Sequence, residues 1–260
     1  VIDGAFFRFD EYLARFLSSM EDLHLDPGMS KRDIQAALHQ MVSKSSLRDS
    51  YVAMVCSRGK PKIAGSRDPR DCDNHFFAWC VPYVHIIKPE TVAQGATAWI
   101  AQNAYRIPEN SVNPRVKNYH WGDFTQGIFE AKDKNYETVI LLDYDGNVTE
   151  GPGFNVFAVK DKVLITPDRG VLDGVSRKTV LEMAEHLGIN TSIRSLSIEE
   201  LLEADEVFLS SSGGGVIPII RVNETIFGNG ASGPISVQLN ETYWAWTCLL
   251  YTSPSPRDRG

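Results

Sequence analysis

The chain has 260 residues, 43% of them apolar, and a formal net charge of −7 at pH 7. That apolar content is enough for a sizeable core in one large domain or two smaller ones, and the acidic balance excludes a broad nucleic-acid surface while permitting a local basic pocket. Cys56, Cys72, Cys80 and Cys248 are scattered without metal-ligand spacing, no apolar run approaches a membrane span and no secretion signal opens the chain, so the composition predicts a cytoplasmic protein with free thiols, no metal and no membrane partner.

Residues 6–9 read as a short strand, after which Asp10 is expected to cap a helix carrying Leu13, Phe16, Leu17, Met20 and Leu23 at helical spacing. Ser30, with Asp33 three residues on, predicts a second helix with a buried stripe of Ile34, Ala37, Leu38, Met41 and Val42. Residues 51–56 and 76–87 read as strands joined by a polar loop over 57–73. Lys88-Pro89-Glu90 has the look of an interdomain linker, extending over 88–94. Beyond it, 96–101, 138–142, 155–159 and 163–166 are predicted strands, with a tight turn at Lys160-Asp161. A helix is expected to open soon after Trp121. Another runs from about Val175 to Leu187, with Gly188 as its stop. Ser197 and Glu200 form a capping box for a short helix, and 206–211 is a further strand. The expected organisation is a small α/β domain over 1–87, the linker, and a larger α+β domain over 95–247.

Both ends read as cut. Val1-Ile2-Asp3-Gly4 has the character of an interior stretch, and the run from Cys248 resembles a translated sequencing adapter. The expectation is a fragment assembled from environmental reads, with 248–260 a non-native, disordered and functionless tail.

The chemistry concentrates around one lysine. Lys117 sits in Val116-Lys117-Asn118-Tyr119-His120-Trp121-Gly122-Asp123, and Tyr119 and Trp121 are expected to supply an apolar pocket that lowers the pKa of the amine. About thirty residues on, Glu150 stands beside a glycine-rich bend, Thr149-Glu150-Gly151-Pro152-Gly153-Phe154-Asn155. Pyridoxal phosphate chemistry needs such a pair: an amine for the Schiff base and an acid that keeps a proton on the pyridine nitrogen. The third segment, Thr166-Pro167-Asp168-Arg169-Gly170-Val171-Leu172-Asp173-Gly174-Val175-Ser176-Arg177, is a glycine-punctuated loop entering a helix, whose first N–H groups and Ser176 hydroxyl suit an anion. Ser210-Ser211-Ser212-Gly213-Gly214-Gly215 offers further donors, and Arg15 on the first helix is a bidentate phosphate candidate. Taken singly, each of these has an ordinary structural reading as a solvated charge, a capped helix or a polar loop.

Jointly and in this order, the three segments make the chain similar to the fold-type IV pyridoxal phosphate enzymes, which include branched-chain aminotransferases, D-amino acid aminotransferases, (R)-selective amine transaminases and aminodeoxychorismate lyase. The resemblance extends from Val1 to about Trp246. It implies a small N-terminal α/β domain, a larger pseudo-barrel domain of the D-amino acid aminotransferase type, and a homodimer with its active site at the interface. It also implies roles: Lys117 as Schiff-base lysine and proton shuttle, Glu150 on the pyridine nitrogen, and Arg15, Val175, Ser176 and Ser212 on the phosphate. Tyr51, Trp121, Leu172, Ser211 and Gly213 would border cofactor or substrate. Tyr12 stands where the family usually has a histidine three residues before the arginine.

Within the family, the chain most resembles the (R)-selective amine transaminases. Branched-chain enzymes tend to carry an arginine for the substrate carboxylate where this chain has Ala53. The amine enzymes use a mobile-loop arginine for the keto-acid acceptor. Alignment puts Ala64 there, flanked by Arg58 and Arg67, and Arg67 is the expected substitute. The implied activity is ping-pong transfer of an amino group from a primary amine to a keto acid. A branched-chain or D-amino acid specificity, a lyase acting on an aminochorismate, and an inactive truncated scaffold are the alternatives.

Overall fold

The structure, a computed structural model, describes residues 1–249 and the backbone of 252 and 253. It divides the chain between two units. The first contains Val1–Val84, Val116–Asn118 and the described residues from Thr247 on; the second contains His85–Arg115 and Tyr119–Trp246. The boundary at His85 is followed by a short return of the chain to the first unit at Val116, which a linear reading does not foresee.

In the first unit, β1 (Phe6–Phe7) leads into α1 (Phe9–Asp22), and α2 (Lys31–Ser45) is followed by a hairpin of β2 (Ser50–Ser57) and β3 (His75–Pro82). Leu13, Phe16 and Met20 of α1 meet Ile34, Leu38 and Val42 of α2, and both helices pack on Val52, Met54, Cys56, Phe76, Ala78 and Cys80 of the hairpin. The period of the helices and the alternation of the strands together select this core. Asp10 lies inside α1 and does not cap it: Arg8, in a left-handed conformation at φ 52°, holds the cap position, and its guanidinium pairs with Glu11 at 2.6 Å. Ser30 caps α2 as its spacing predicts, accepting the Asp33 N–H at 3.2 Å. β3 stops at Pro82, opposite Ser50, where β2 has no further residue to pair.

The second unit opens with α3 (Pro89–Gln94). The stretch expected as a linker is therefore partly helical, with Pro89 at the first turn, where its missing N–H costs nothing. Next come β4 (Ala96–Tyr105), α4 (Gly122–Asp133), β5 (Thr138–Leu142), β6 (Glu150–Gly151), β7 (Phe154–Lys160) and β8 (Val163–Thr166). They are followed by α5 (Val175–His186), β9 (Thr191–Ile193), α6 (Ile198–Leu202), β10 (Glu206–Ser211), β11 (Gly215–Val222), β12 (Thr225–Ile226) and α7 (Pro234–Leu249). The strands form one mixed nine-stranded sheet, ordered β5-β4-β11-β10-β7-β8-β9, with β12 on β11 and β6 on β7. Both faces are covered, which is why β5 and β10 are buried throughout. Ile140, Val156, Val207, Leu209 and Ile217 belong to one core, and Val139 and Leu141 to a second with Phe124 and Ala131 of α4. The β7–β8 turn is centred on Asp161-Lys162, both at positive φ, one residue later than expected.

α7 runs through Cys248 to Leu249, and β13 (Thr252–Ser253) pairs antiparallel with β1 within the first unit. Cys248 and Leu249, expected to open a structureless tail, are thus helical, and Thr252–Ser253 form a strand; the rest of that expected tail lies outside the described residues. Among the described residues, no helix is long and apolar enough to cross a membrane, and no cluster of metal-ligating side chains occurs.

Candidate active site

In the first unit, the backbone N–H of Lys117 donates to the hydroxyl of Ser19 on α1 at 3.1 Å. Val116 beside it is buried, and the Asn118 side-chain amide donates to the Val116 carbonyl at 2.8 Å. Arg15 lies one turn before Ser19 on α1, so a single helix anchors the lysine segment and carries the expected phosphate arginine. The Arg15 guanidinium stands 5.3 Å over the ring of Tyr12, so the departure from the family's histidine gives Arg15 an aromatic face to rest on. Lys117 is an exposed position, and Tyr119 is 72% exposed. Tyr119 therefore does not provide the desolvating wall expected of it.

Ala53 faces Trp79 across the β2–β3 ladder, between the Tyr51–Val81 and Val55–Phe77 pairs. These residues alternate with those packed on α1 and α2, so they form the opposite face of the hairpin, and every one of them is apolar or aromatic. In the 57–73 loop, Arg58 is occupied: its guanidinium donates to the carbonyls of Leu23 and His24 past the end of α1. Arg67 is exposed and takes part in no hydrogen bond or ion pair among the described residues. Its neighbours are fixed, Ser66 on Asp71 and Asp68 on Arg70.

In the second unit, Glu150 opens β6 with its carboxylate buried. Its Oε2 accepts the Leu172 N–H at 2.8 Å and the Asn155 amide at 3.3 Å, and its Oε1 accepts from Arg106 at 3.1 Å. Arg106 does not stand out in the sequence; its one signal is a cation directly after the end of β4. Gly151 has to be glycine, since a Cβ there would lie 2.3 Å from the Val139 carbonyl. Trp121 precedes α4 and packs edge-on against Phe124 at 5.5 Å. Gly174, at the cap position of α5, leaves room for the Asn155 side chain, which a Cβ would strike at 2.2 Å. Val175 and Ser176 are then the first two residues of α5, where N–H groups lack helical partners. The Ser176 hydroxyl lies 3.4 Å from that of Tyr243. Ser211 donates to the Gly153 carbonyl at 2.9 Å and accepts the Gly213 N–H at 3.1 Å, which ties the β10–β11 turn to the bend after Glu150. Ser212 is exposed on that turn, and the Ser210 hydroxyl is buried without a hydrogen-bond partner. Burial lowers the Arg177 pKa, opposed by Asp173. Arg177 donates to the Pro167 carbonyl at 2.8 Å and so braces the loop that carries Leu172.

The second unit by itself carries groups that suit a phosphorylated pyridine: the buried Glu150 carboxylate, the start of α5 and hydroxyls that include the orphaned one of Ser210. The first unit, taken by itself, carries a primary amine and a guanidinium, the groups that an aldehyde and a phosphate take.

The family profile described as Amino-transferase class IV matches residues 1–222. A putative branched-chain-amino-acid aminotransferase of Methanocaldococcus jannaschii is 27% identical over 244 residues, 93% of this chain and 82% of that protein. The D-alanine aminotransferase of Bacillus licheniformis is 28% identical over 243 residues, 91% of this chain and 81% of that protein. The crystal structure of the branched-chain aminotransferase of Thermobaculum terrenum in its pyridoxal phosphate form superposes with a TM-score of 0.82 at 27% identity, covering 92% of this chain and 78% of that one. With the mixed α/β fold and a donor set suited to the cofactor, the match over residues 1–222 identifies the chain as a member of the Amino-transferase class IV family, a pyridoxal phosphate-dependent aminotransferase.

Proposed function

We propose that this aminotransferase takes its amino group from apolar primary amines of (R) configuration and gives it to a keto acid such as pyruvate, by a ping-pong mechanism. The observation that carries this reading is the apolar outer face of the β2–β3 hairpin, where Ala53 stands opposite Trp79 and no arginine is present to bind a carboxylate on the donor. Bound pyridoxal phosphate supplies the electron sink for the carbon that loses its proton. Lys117 Nζ would hold the cofactor aldehyde and would be the base that moves that proton. Glu150 holds a proton on the ring nitrogen, and Arg15, Val175, Ser176 and Ser212 hold the phosphate. Tyr51, Trp121, Leu172, Ser211 and Gly213 border the donor. Arg67, the loop arginine without a structural bond, receives the carboxylate of the keto acid. The protein works as a homodimer.

A donor panel of (R)-1-phenylethylamine, D-alanine and L-leucine with pyruvate tests the specificity. The expected order places the aromatic amine first, and preference for L-leucine would reject it. Borohydride reduction followed by peptide mapping tests the chemistry: the label is expected on Lys117, and a label elsewhere removes the assignment. A second reading, an α-amino acid aminotransferase of branched-chain or D-amino acid type, is favoured by the identity of the relatives.

A further inference from the structure

The buried ion chain behind Glu150 plays no part in the roles proposed above. Arg106 follows β4, and its backbone N–H donates to the Leu142 carbonyl at 2.8 Å. Its guanidinium lies 4.4 Å over the Phe124 ring and forks between two carboxylates, Nη1 to Asp123 at 2.7 Å and Nη2 to Glu150 at 3.1 Å. The side chains of Arg106, Asp123 and Glu150 are only 8%, 5% and 7% exposed. Asp123 is fixed in turn by the N–H groups of Ile107 at 3.1 Å and Phe124 at 2.8 Å. The Arg106 Nε is buried without a partner, an unfavourable placement in itself, which the guanidinium accepts in order to span the two acids.

We infer that Arg106, backed by Asp123, is a positioning residue that fixes the plane of the Glu150 carboxylate and keeps the proton shared with the cofactor on the ring nitrogen. This rests on the reading that Glu150 faces that nitrogen. A guanidinium in contact with Oε1 disfavours protonation of the carboxylate. Its planar fork, tied at the far side to Asp123, limits rotation of the acid in a way that a point charge cannot. Two carboxylates flank one guanidinium, so the trio carries an excess of negative charge that complements a protonated ring. Without Arg106, Glu150 competes for the proton and the ring becomes a weaker electron sink.

The test is nitrogen-15 NMR of holoenzyme reconstituted with cofactor labelled at the ring nitrogen, for the wild type, Arg106→Gln, Arg106→Lys and Glu150→Gln, with melting temperature measured beside it. In the wild type the resonance is expected at the protonated position. It should move toward the unprotonated position in Arg106→Gln, less far in Arg106→Lys, and fully in Glu150→Gln. If both arginine variants melt lower but keep the wild-type resonance while Glu150→Gln moves, Arg106 is merely structural and the inference is overturned. If Glu150→Gln also leaves the resonance in place, the reading of Glu150 itself fails, and the inference with it. Should Arg106→Gln not fold, Arg106→Lys decides, since it keeps the buried charge: movement supports the inference and none overturns it.

Discussion

The hydroxyl of Ser19 is buried on α1 and accepts the backbone N–H of a residue 98 positions away, the proposed catalytic Lys117. Ser19→Ala deletes that acceptor and leaves the helix otherwise intact. A net loss of about 1 kcal/mol in stability is expected. The larger effect is expected on turnover, because a reacting group displaced by about 1 Å loses roughly a hundredfold in rate. Steady-state kinetics should show kcat falling while the cofactor remains bound; an unchanged kcat would detach the helix from the chemistry. Gly151 carries a second prediction. In Gly151→Ala the new methyl meets the Val139 carbonyl, a backbone atom that cannot swing aside, so a loss of about 1–3 kcal/mol in thermal unfolding is expected. Lys117 and Glu150 stand out in the sequence as candidates because each has distinctive neighbours within a few positions. Ser19 and Arg106 were not, since their meaning lies in partners 98 and 44 residues away.

At the scale of elements, the short helix α6 shows what local sequence encodes well. Ser197 accepts the Glu200 N–H at 3.2 Å, the Glu200 carboxylate accepts the Ser197 N–H at 3.3 Å, and both halves of the box follow from a spacing of three residues. Arg194 adds a bidentate pair to Glu200, at 3.0 and 2.8 Å, and its hydrogen bond pulls the Glu200 pKa below the ordinary value. A carboxylate lowered in the folded state stabilises the fold above its unfolded pKa, and that stabilisation fades as pH falls through the folded value. Arg194→Gln should therefore lower the melting temperature at neutral pH and make no difference in strong acid; an equal deficit at both would refute the assignment. β11 shows the opposite case. It lies between β4 and β10, yet it begins at Gly215 and carries Pro218, residues that argue against a central strand. Its parallel partner β4 starts more than a hundred residues earlier, so no local pattern announces the pairing.

For the whole molecule, the decisive feature is that the first unit is assembled from separated stretches of chain, with Val116–Asn118 returning to it from the middle of the second. The sequence suggests a small domain over 1–87, a linker over 88–94 and a strand-heavy domain from 95, whereas the second unit opens at His85. The return was invisible, because three residues are too few to carry a pattern and their tie to α1 is a hydrogen bond to Ser19, 98 positions away. This gives the two units unequal fates when the chain is divided. A piece starting at His85 keeps every strand of the nine-stranded sheet and its two cores, so it is expected to fold with a strand-rich circular dichroism spectrum. It contains Lys117 but lacks Ser19 and Arg15, and with them the anchor of the lysine segment and one proposed phosphate ligand. Borohydride-trapped cofactor on Lys117 should therefore fall by roughly tenfold or more relative to the intact chain, consistent with loss of a positioned nucleophile. If the piece is trapped as efficiently as the full chain, the lysine is positioned from within the second unit and the role given to α1 is wrong.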